Sequence, residues 1–295
     1  YDWRISDQWE AVGAVRYDYF SDGKESHVTP KLNVCYKPIY NLSIRAGYGM
    51  GFRAPTLKEK YYNFDMAGIW IFEGNANLKS EVSHNFNLSA EYTKGHYNLT
   101  GSVYYNKVKN KLATSVPYFK TPNDKLPYLP YANLDDYSVC GGEIGAQAKW
   151  NNGLGARLTY AYTKEQLAKD KDGHTINNQY IPAREHALNA RVDFDKQLSK
   201  KYGLNIALQG RVLSGVENVE YKDYYDVSKG TITVEYPAYT IWKLSVVQRV
   251  GNAVKVTAAL DNVFGYKPKY YYLNSPITDG VNFQIGMSID IDKLF

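Results

Sequence analysis

No stretch of this 295-residue chain approaches the ~20 consecutive apolar residues that a membrane-spanning helix needs, which excludes helical insertion. Histidine and cysteine are scarce, at 5 and 2 copies. Cys35 and Cys140 stand far apart, which is neither a metal-ligand spacing nor a disulfide framework and leaves open only a single bridge between them. A net charge of +5 without any basic block or basic helical face gives no support to nucleic acid as a partner. Catalytic signatures are missing too: there is no Gly-x-Ser-x-Gly, no His-Glu-x-x-His and no phosphate-binding glycine loop. The carboxylates of Asp135-Asp136 lie at a strand start, where neighbouring side chains point to opposite faces. The expectation is therefore a protein that is not an enzyme, with no resident metal or cofactor. Tyr1-Asp2-Trp3-Arg4-Ile5 has no initiator methionine and no charged or apolar leader, so the chain reads as a piece of a longer polypeptide.

Tyrosine is plentiful, with 29 copies against 10 Phe and 5 Trp. Its ring suits the apolar side of a membrane interface and its hydroxyl the wet side. The second abundant signal is strict alternation. From Val281 to Phe295, the apolar residues Val281, Phe283, Ile285, Met287, Ile289, Ile291 and Phe295 share one face of an extended chain. The same pattern recurs back to Trp9 and predicts about twelve strands of roughly ten or more residues, the length a tilted membrane strand needs. A charged fraction of 22% is compatible with this, because only alternate residues of such strands face lipid.

Connections between these strands alternate in length. Short turns fall near Ser6-Asp7, Lys37 to Asn41, Lys94-Gly95, Asn151 to Gly153, Asp195 to Lys201 and Gly251-Asn252. Long ones span Arg53 to Ser80, Lys111 to Leu134, Glu165 to Ile181, Gly215 to Tyr236 and Gly265 to Gly280, with Ser21 to Ser26 the only short member of that set. Outer-membrane barrels have short periplasmic turns and long extracellular loops, so this asymmetry puts every long connection outside the cell, with the last strand descending to the periplasmic rim at Phe295. The fold class expected is all-β: an antiparallel transmembrane β-barrel. About twelve strands could close a small porin-like barrel, but Tyr1 to Ile5 reads as the tail of an earlier strand, and unless the set closes on itself it is an open sheet with an unpaired edge.

The first long loop holds two boxes. Phe52-Arg53-Ala54-Pro55 closes the strand before it, and Gly74-Asn75-Ala76-Asn77-Leu78 precedes the next. In order, at loop-like spacing between outgoing and returning strands, they resemble the Phe-Arg-Ala-Pro and Asn-Pro-Asn-Leu-like segments of TonB-dependent outer-membrane receptors. The resemblance covers residues 1–295 as the C-terminal portion of such a barrel, about twelve strands of a larger plugged barrel, with the plug domain and N-terminal strands absent from this chain. It implies active uptake of an iron chelate across the bacterial outer membrane, lipid on the barrel exterior, and the TonB complex as a partner through the missing N-terminal part. Read from the residues alone, Phe52, Arg53, Ala54, Pro55, Asn75, Asn77 and Leu78 have an architectural role: Pro55 forces an extended Ala54 and ends the strand, Arg53 awaits a carboxylate on the rim, and Gly74-Asn75 makes a turn.

The pairing of the boxes is most like that of haem receptors, in which a histidine between them captures haem; this chain has none there. Tyr61, Tyr62 and Met66 are the candidates in its place, since tyrosine and methionine serve as axial haem ligands. Haem is thus the first expected ligand, a ferric siderophore or cobalamin the alternative, and a passive porin or adhesion barrel the reading of another class. Aromatic loop residues add candidates for a flat apolar chelate: Tyr118, Phe119, Tyr128 and Tyr131, and then Tyr221, Tyr224 and Tyr225 beside Asp223 and Asp226. Tyr270, Tyr271 and Tyr272 read instead as an aromatic girdle. Among the histidines, His84 and His186 share parity with lipid-facing residues; only His27, on the lumen side, and His174, in a long loop, are placed where a ligand could be met, and each also reads as an ordinary polar surface residue.

Overall fold

Period-two sequence becomes long antiparallel strands in the computed structural model, which describes residues 1–21, 25–115, 117–134, 136–166, 183–223, 229–268 and 278–293. In chain order the strands are β1 (Asp2–Arg4), β2 (Trp9–Phe20), β3 (Glu25–Ile39), β4 (Leu42–Arg53), β5 (Asn63–Met66), β6 (Trp70–Glu73), β7 (Glu81–Lys94), β8 (Tyr97–Lys109), β9 (Lys111–Thr114) and β10 (Tyr128–Leu134). There follow β11 (Tyr137–Lys149), β12 (Leu154–Gln166), β13 (His186–Ser199), β14 (Tyr202–Leu213), β15 (Val216–Tyr221), β16 (Thr231–Tyr236), β17 (Tyr239–Val250), β18 (Val254–Asp261) and β19 (Asn282–Ile289). A short helix, α1 (Leu57–Tyr61), follows β4.

Thirteen of these strands form one sheet in the order β1-β2-β3-β4-β7-β8-β11-β12-β13-β14-β17-β18-β19. Its neighbours are sequential strands joined antiparallel, the meander expected of a barrel wall. Twelve of the thirteen are the predicted long strands, and three-residue β1 is the predicted tail, pairing Trp3 with Ala11. Among the described residues β1 and β19 do not pair with each other, so the wall is open.

The two faces of the wall differ as the alternation requires. Val15, Ile144 and Ile285 lie on the apolar face and are 69–74% exposed. A continuous apolar face of this size is unfavourable in water and suited to lipid. The opposite face carries polar side chains that bridge strands: Arg45 to Glu91, Arg157 to Gln147, Arg191 to Gln209 and Arg249 to Asp195. His84 and His186 fall on the outward face as parity predicts, with Nδ1 lying 2.9 Å from Tyr48 Oη and 2.7 Å from Tyr160 Oη respectively. Cys35 and Cys140 are free. They belong to β3 and β11 and to opposite faces, about 19 Å apart at the usual strand spacing, far beyond disulfide reach.

The last strand is shorter than its alternation suggests. It ends at Ile289 and passes into a 3-10 turn at Ile291–Lys293, with Leu294 and Phe295 outside the described residues. Strand β18 offers ladder partners only from Asp261 back to Val254, and the next amide, Asp290 N–H, donates to Ala253 O at the turn. Alternation in the sequence therefore outlasts the pairing that a strand needs.

The first two long loops are not irregular. Strands β5, β6, β10 and β9 make a separate four-stranded sheet on the outer side, in which β6 and β10 run parallel, and β15 and β16 form a hairpin of their own. Local alternation in Trp70-Ile71-Phe72 contains the strand, but the parallel partner lies more than fifty residues along the chain, and no local pattern specifies it.

Candidate functional site at the outer rim

Arg53, the last residue of β4, ties four segments together. Its Nη1 donates to Glu59 Oε1 at 2.9 Å in α1 and its Nη2 to the Leu112 carbonyl at 3.3 Å in β9, while Glu81 at the start of β7 lies 3.7 Å from Nη2. The helix it grips is set by Thr56-Leu57-Lys58-Glu59, a reciprocal capping box: Thr56 Oγ1 accepts from Glu59 N–H, and the Glu59 carboxylate accepts from Thr56 N–H at 2.7 Å. Pro55 biases Ala54 toward an extended conformation, and these two residues alone separate the end of β4 from the Thr56 cap. Burial pushes the Glu59 carboxyl up, but the Thr56 amide, Arg53 and the Thr56 hydroxyl outweigh it and hold the group below the usual carboxylate range.

The second box locks onto the first. Asn75 N–H donates to the Glu59 carbonyl at 2.9 Å, Asn75 Nδ2 donates to the Tyr131 carbonyl at 3.1 Å, and Asn75 Oδ1 accepts from Asn77 N–H at 3.0 Å. Leu78 is buried beneath this turn, 4% exposed. Gly74 is required by approach: a Cβ there would meet Lys60 O and Tyr61 N at 2.8 Å. The boxes are thus two halves of one clamp, with Glu59 as the shared piece.

Around the clamp, the loop aromatics mostly pack on one another. Trp70, Phe72 and Leu129 are buried together, with Phe64 and Tyr131 against them. Phe64 and Phe72 stack at 4.9 Å, and Phe72 and Tyr131 meet at 5.9 Å. Tyr118 Oη and Lys120 Nζ both donate to Glu73, at 2.6 and 2.7 Å, and Lys120 also covers the Tyr128 ring at 4.0 Å. Burial raises the Glu73 carboxyl, and the hydrogen bonds from Lys120 and Tyr118 bring it below its ordinary value. Lys111 sits 3.6 Å over the Tyr137 ring; burial lowers its ammonium against the pull of Glu81 and Glu165.

The candidate ligand residues divide accordingly. Tyr61 and Tyr62, at the C-terminal end of α1, are 55% and 62% exposed, and Met66 is 48% exposed. Strand β5 lies between them, so Met66 is about 13 Å along the extended chain from Tyr62. Phe119 remains on the surface. Tyr118, Tyr128 and Tyr131 are consumed by the platform. His27 faces the lumen side as predicted, stacked on Phe52 at 4.3 Å with Glu25 at 3.3 Å. His174, Tyr224, Tyr225, Asp226 and Tyr270 to Tyr272 lie outside the described residues, as does Asp135, and the backbone of Tyr221 ends β15. No His/Cys/Asp/Glu group suited to a metal ion occurs among the described residues. Glu59 is not among the residues expected from sequence, although Thr-x-x-Glu before a helix is a legible signal. Nor is Asn262, which is 2% exposed. From a left-handed backbone (φ 53°), its Nδ2 donates to Tyr266 O, Thr278 Oγ1 and Gly280 O at the base of the last loop.

A polar-lined strand wall with a clamped platform on its outer edge has counterparts among known proteins. The family described as "TonB dependent receptor-like, beta-barrel" matches residues 1–263. The chain belongs to the TonB-dependent receptor family. Curated relatives of this receptor barrel include the vitamin B12 transporter BtuB of Photobacterium profundum, 24% identical over 89% of this chain and 38% of that protein. The iron-regulated outer membrane virulence protein of Vibrio cholerae is 22% identical over 98% of this chain and 43% of its own length. The receptor chain thus spans about two-fifths of the length of these relatives. Among solved structures, the FrpB iron transporter from Neisseria meningitidis (F3-3 variant) superposes with a TM-score of 0.74 at 20% identity, covering 97% of this chain and 43% of that one. The ferric enterobactin receptor PfeA in complex with BCV-L6 gives 0.74 at 18% identity over 97% and 44%. These likenesses carry the fold, an outer-membrane β-barrel wall.

Proposed function

We propose that this chain is the C-terminal portion of the barrel of an outer-membrane receptor that takes up a ferric chelate, with its plug and its TonB-contacting segment elsewhere in the parent polypeptide. The observation that carries the reading is the rim clamp: Arg53, Glu59 and Asn75 fix a folded platform, rather than free loops, at the outer edge of a wall whose inner face is polar. Such a platform presents exposed side chains to the medium while the wall provides a route inward. Relatives named for iron and vitamin B12 transport support uptake over a passive pore or adhesion. Within that class a siderophore-type chelate takes precedence over haem. The relatives and solved structures described above are named for iron, ferric enterobactin and vitamin B12, which favours such a chelate over haem at Tyr61, Tyr62 and Met66.

Deletion of the parent gene is expected to abolish import of radiolabelled iron from at least one chelate in iron-starved cells, and an intact gene copy to restore it only in cells with a working TonB system. Unchanged iron import accompanied by lost corrinoid import would reassign the cargo. Import that persists without TonB would make the barrel a passive pore. For haem, the intact receptor mixed with haemin is expected to give no Soret shift that depends on Tyr61 and Tyr62; a shift abolished by Y61A/Y62A would reinstate haem.

A further inference from the structure

The inner face of the wall is not uniform in charge. On the β2 to β7 side Arg16, Lys37, Arg45 and Arg53 each meet a carboxylate, namely Asp18, Glu10, Glu91 and Glu81, and Lys31 stands apart from them opposite Ala14 and Gly49. On the β12 to β17 side cations gather without equal compensation. Arg157 of β12 is the direct ladder partner of Arg191 of β13, an arrangement of like charges that is unfavourable by itself. The same row continues through Gln209 to Lys243 of β17, and Arg211 lies two ladder pairs away on β14, opposite Asn189. Arg191 has Asp193 at 2.8 Å and Lys243 has Asp261 at 2.9 Å. Among the described residues Arg157 bonds only to the neutral Gln147, and the guanidinium of Arg211 has no polar partner there. Arg157, Arg191, Arg211 and Lys243 line one groove of about 380 Å³ together with Thr159 and Asn189.

We propose that this groove is a seat on the inner wall for an anionic chelate in passage. The inference rests on the uptake reading and adds to it the sign of the cargo's charge and the residues that hold it. Three forked guanidinium groups and an ammonium converge on a space of small-molecule size, and planar forks of N–H donors match carboxylate or catecholate oxygens. An anion between Arg157 and Arg191 removes the repulsion that the register imposes. It also gives Arg211 the acceptor it lacks. Glu143, inward on β11, lies four ladder pairs from Gln147 and outside the groove lining.

The test uses the whole receptor that contains this chain, purified in detergent and titrated with a trianionic ferric tris-catecholate while its intrinsic fluorescence is followed, with cyanocobalamin as the less charged comparison. Wild type and R157K/R211K are expected to bind the trianion in a salt-sensitive manner, and R157Q/R211Q to bind it at least tenfold more weakly with an unchanged melting temperature. Cyanocobalamin is expected to respond to none of the substitutions. Absence of trianion binding by wild type, or equal binding by R157Q/R211Q, overturns the proposal. A lowered melting temperature with unaltered binding also overturns it, since the cations would then be paired with protein carboxylates. Iron import by the deletion strain judges the uptake reading separately: import can require the receptor while the glutamine variants match wild type, in which case only the groove assignment falls.

Discussion

At the scale of single residues, the rim depends on a few side chains that each satisfy several groups. Arg53 is partly exposed, so its ion pairs are screened, but it is also the donor to a backbone carbonyl of another loop. Arg53→Ala is expected to loosen the platform by about 1–2 kcal/mol, the lower range for hydrogen bonds to charged groups after allowance for exposure. Hydrogen exchange of residues 56–62 and 111–114 would register this as faster local opening, with the wall strands unaffected. Gly74→Ala acts by contact instead. Its methyl would press on two backbone atoms of α1 that cannot swing aside, an overpacking cost of about 1–3 kcal/mol, seen as fraying of the same helix. Asn262→Ala removes two N–H donors shared among three acceptors and one bond accepted from Tyr266 N–H at 2.9 Å, and its left-handed backbone suits alanine poorly. A loss on the order of 3 kcal/mol is expected at the β18 to β19 connection, measurable as increased proteolysis there.

At the scale of elements, the platform is a small folded unit whose own core decides its order. Leu129 is 0% exposed between Trp70 and Phe72, so Leu129→Ala is expected to cost about 2–5 kcal/mol and to expose residues 111–134 to protease while the main sheet stays intact. Acid should loosen the same unit. Glu59 and Glu73 are both held below the ordinary carboxylate value, so their contribution is complete above an unfolded-state pKa of about 4.3 and is lost as pH falls through their lower folded-state values. Proteolysis of the platform is therefore expected to be constant from neutral pH to about pH 5 and to rise only below about pH 4. A rise already present near pH 6 would point to a histidine instead. This unit also marks where sequence reading stopped. Thr56-Leu57-Lys58-Glu59 announces a helix start locally, whereas the joining of β6 to β10 and the reach of Arg53 to Leu112 are contacts across more than fifty residues, which neither alternation nor turn chemistry encodes.

At the scale of the whole molecule, the wall was legible because lipid imposes the same demand on every strand: Val103, Leu158, Val192 and Ile285 all occupy positions whose neighbours point inward. The clamp was legible as a family mark, though not as a mechanism, since the identity of Arg53 or Asn75 says nothing about which distant carbonyl it meets. The cationic groove was not legible at all, because Arg157 faces Arg191 only through the register of β12 against β13. The orientation of the wall itself can be tested by adjacent substitutions in the middle of β8. Val103 is outward and 56% exposed, whereas Ser102 is inward, paired in register with Glu143 of β11. An arginine at 103 enters the hydrocarbon zone near its centre and is expected to cost about 2–4 kcal/mol of folding free energy in bilayers. Arginine at 102 enters the polar interior of the barrel beside a carboxylate, where the cost falls to about 0–1 kcal/mol. Refolding of the intact receptor into lipid vesicles, followed by denaturant titration, separates V103R from S102R by about 2 kcal/mol or more if the apolar face meets lipid. Equal effects, or a larger loss for S102R, would mean that the sheet presents its other face to the bilayer and that the groove at Arg157 is not in a lumen.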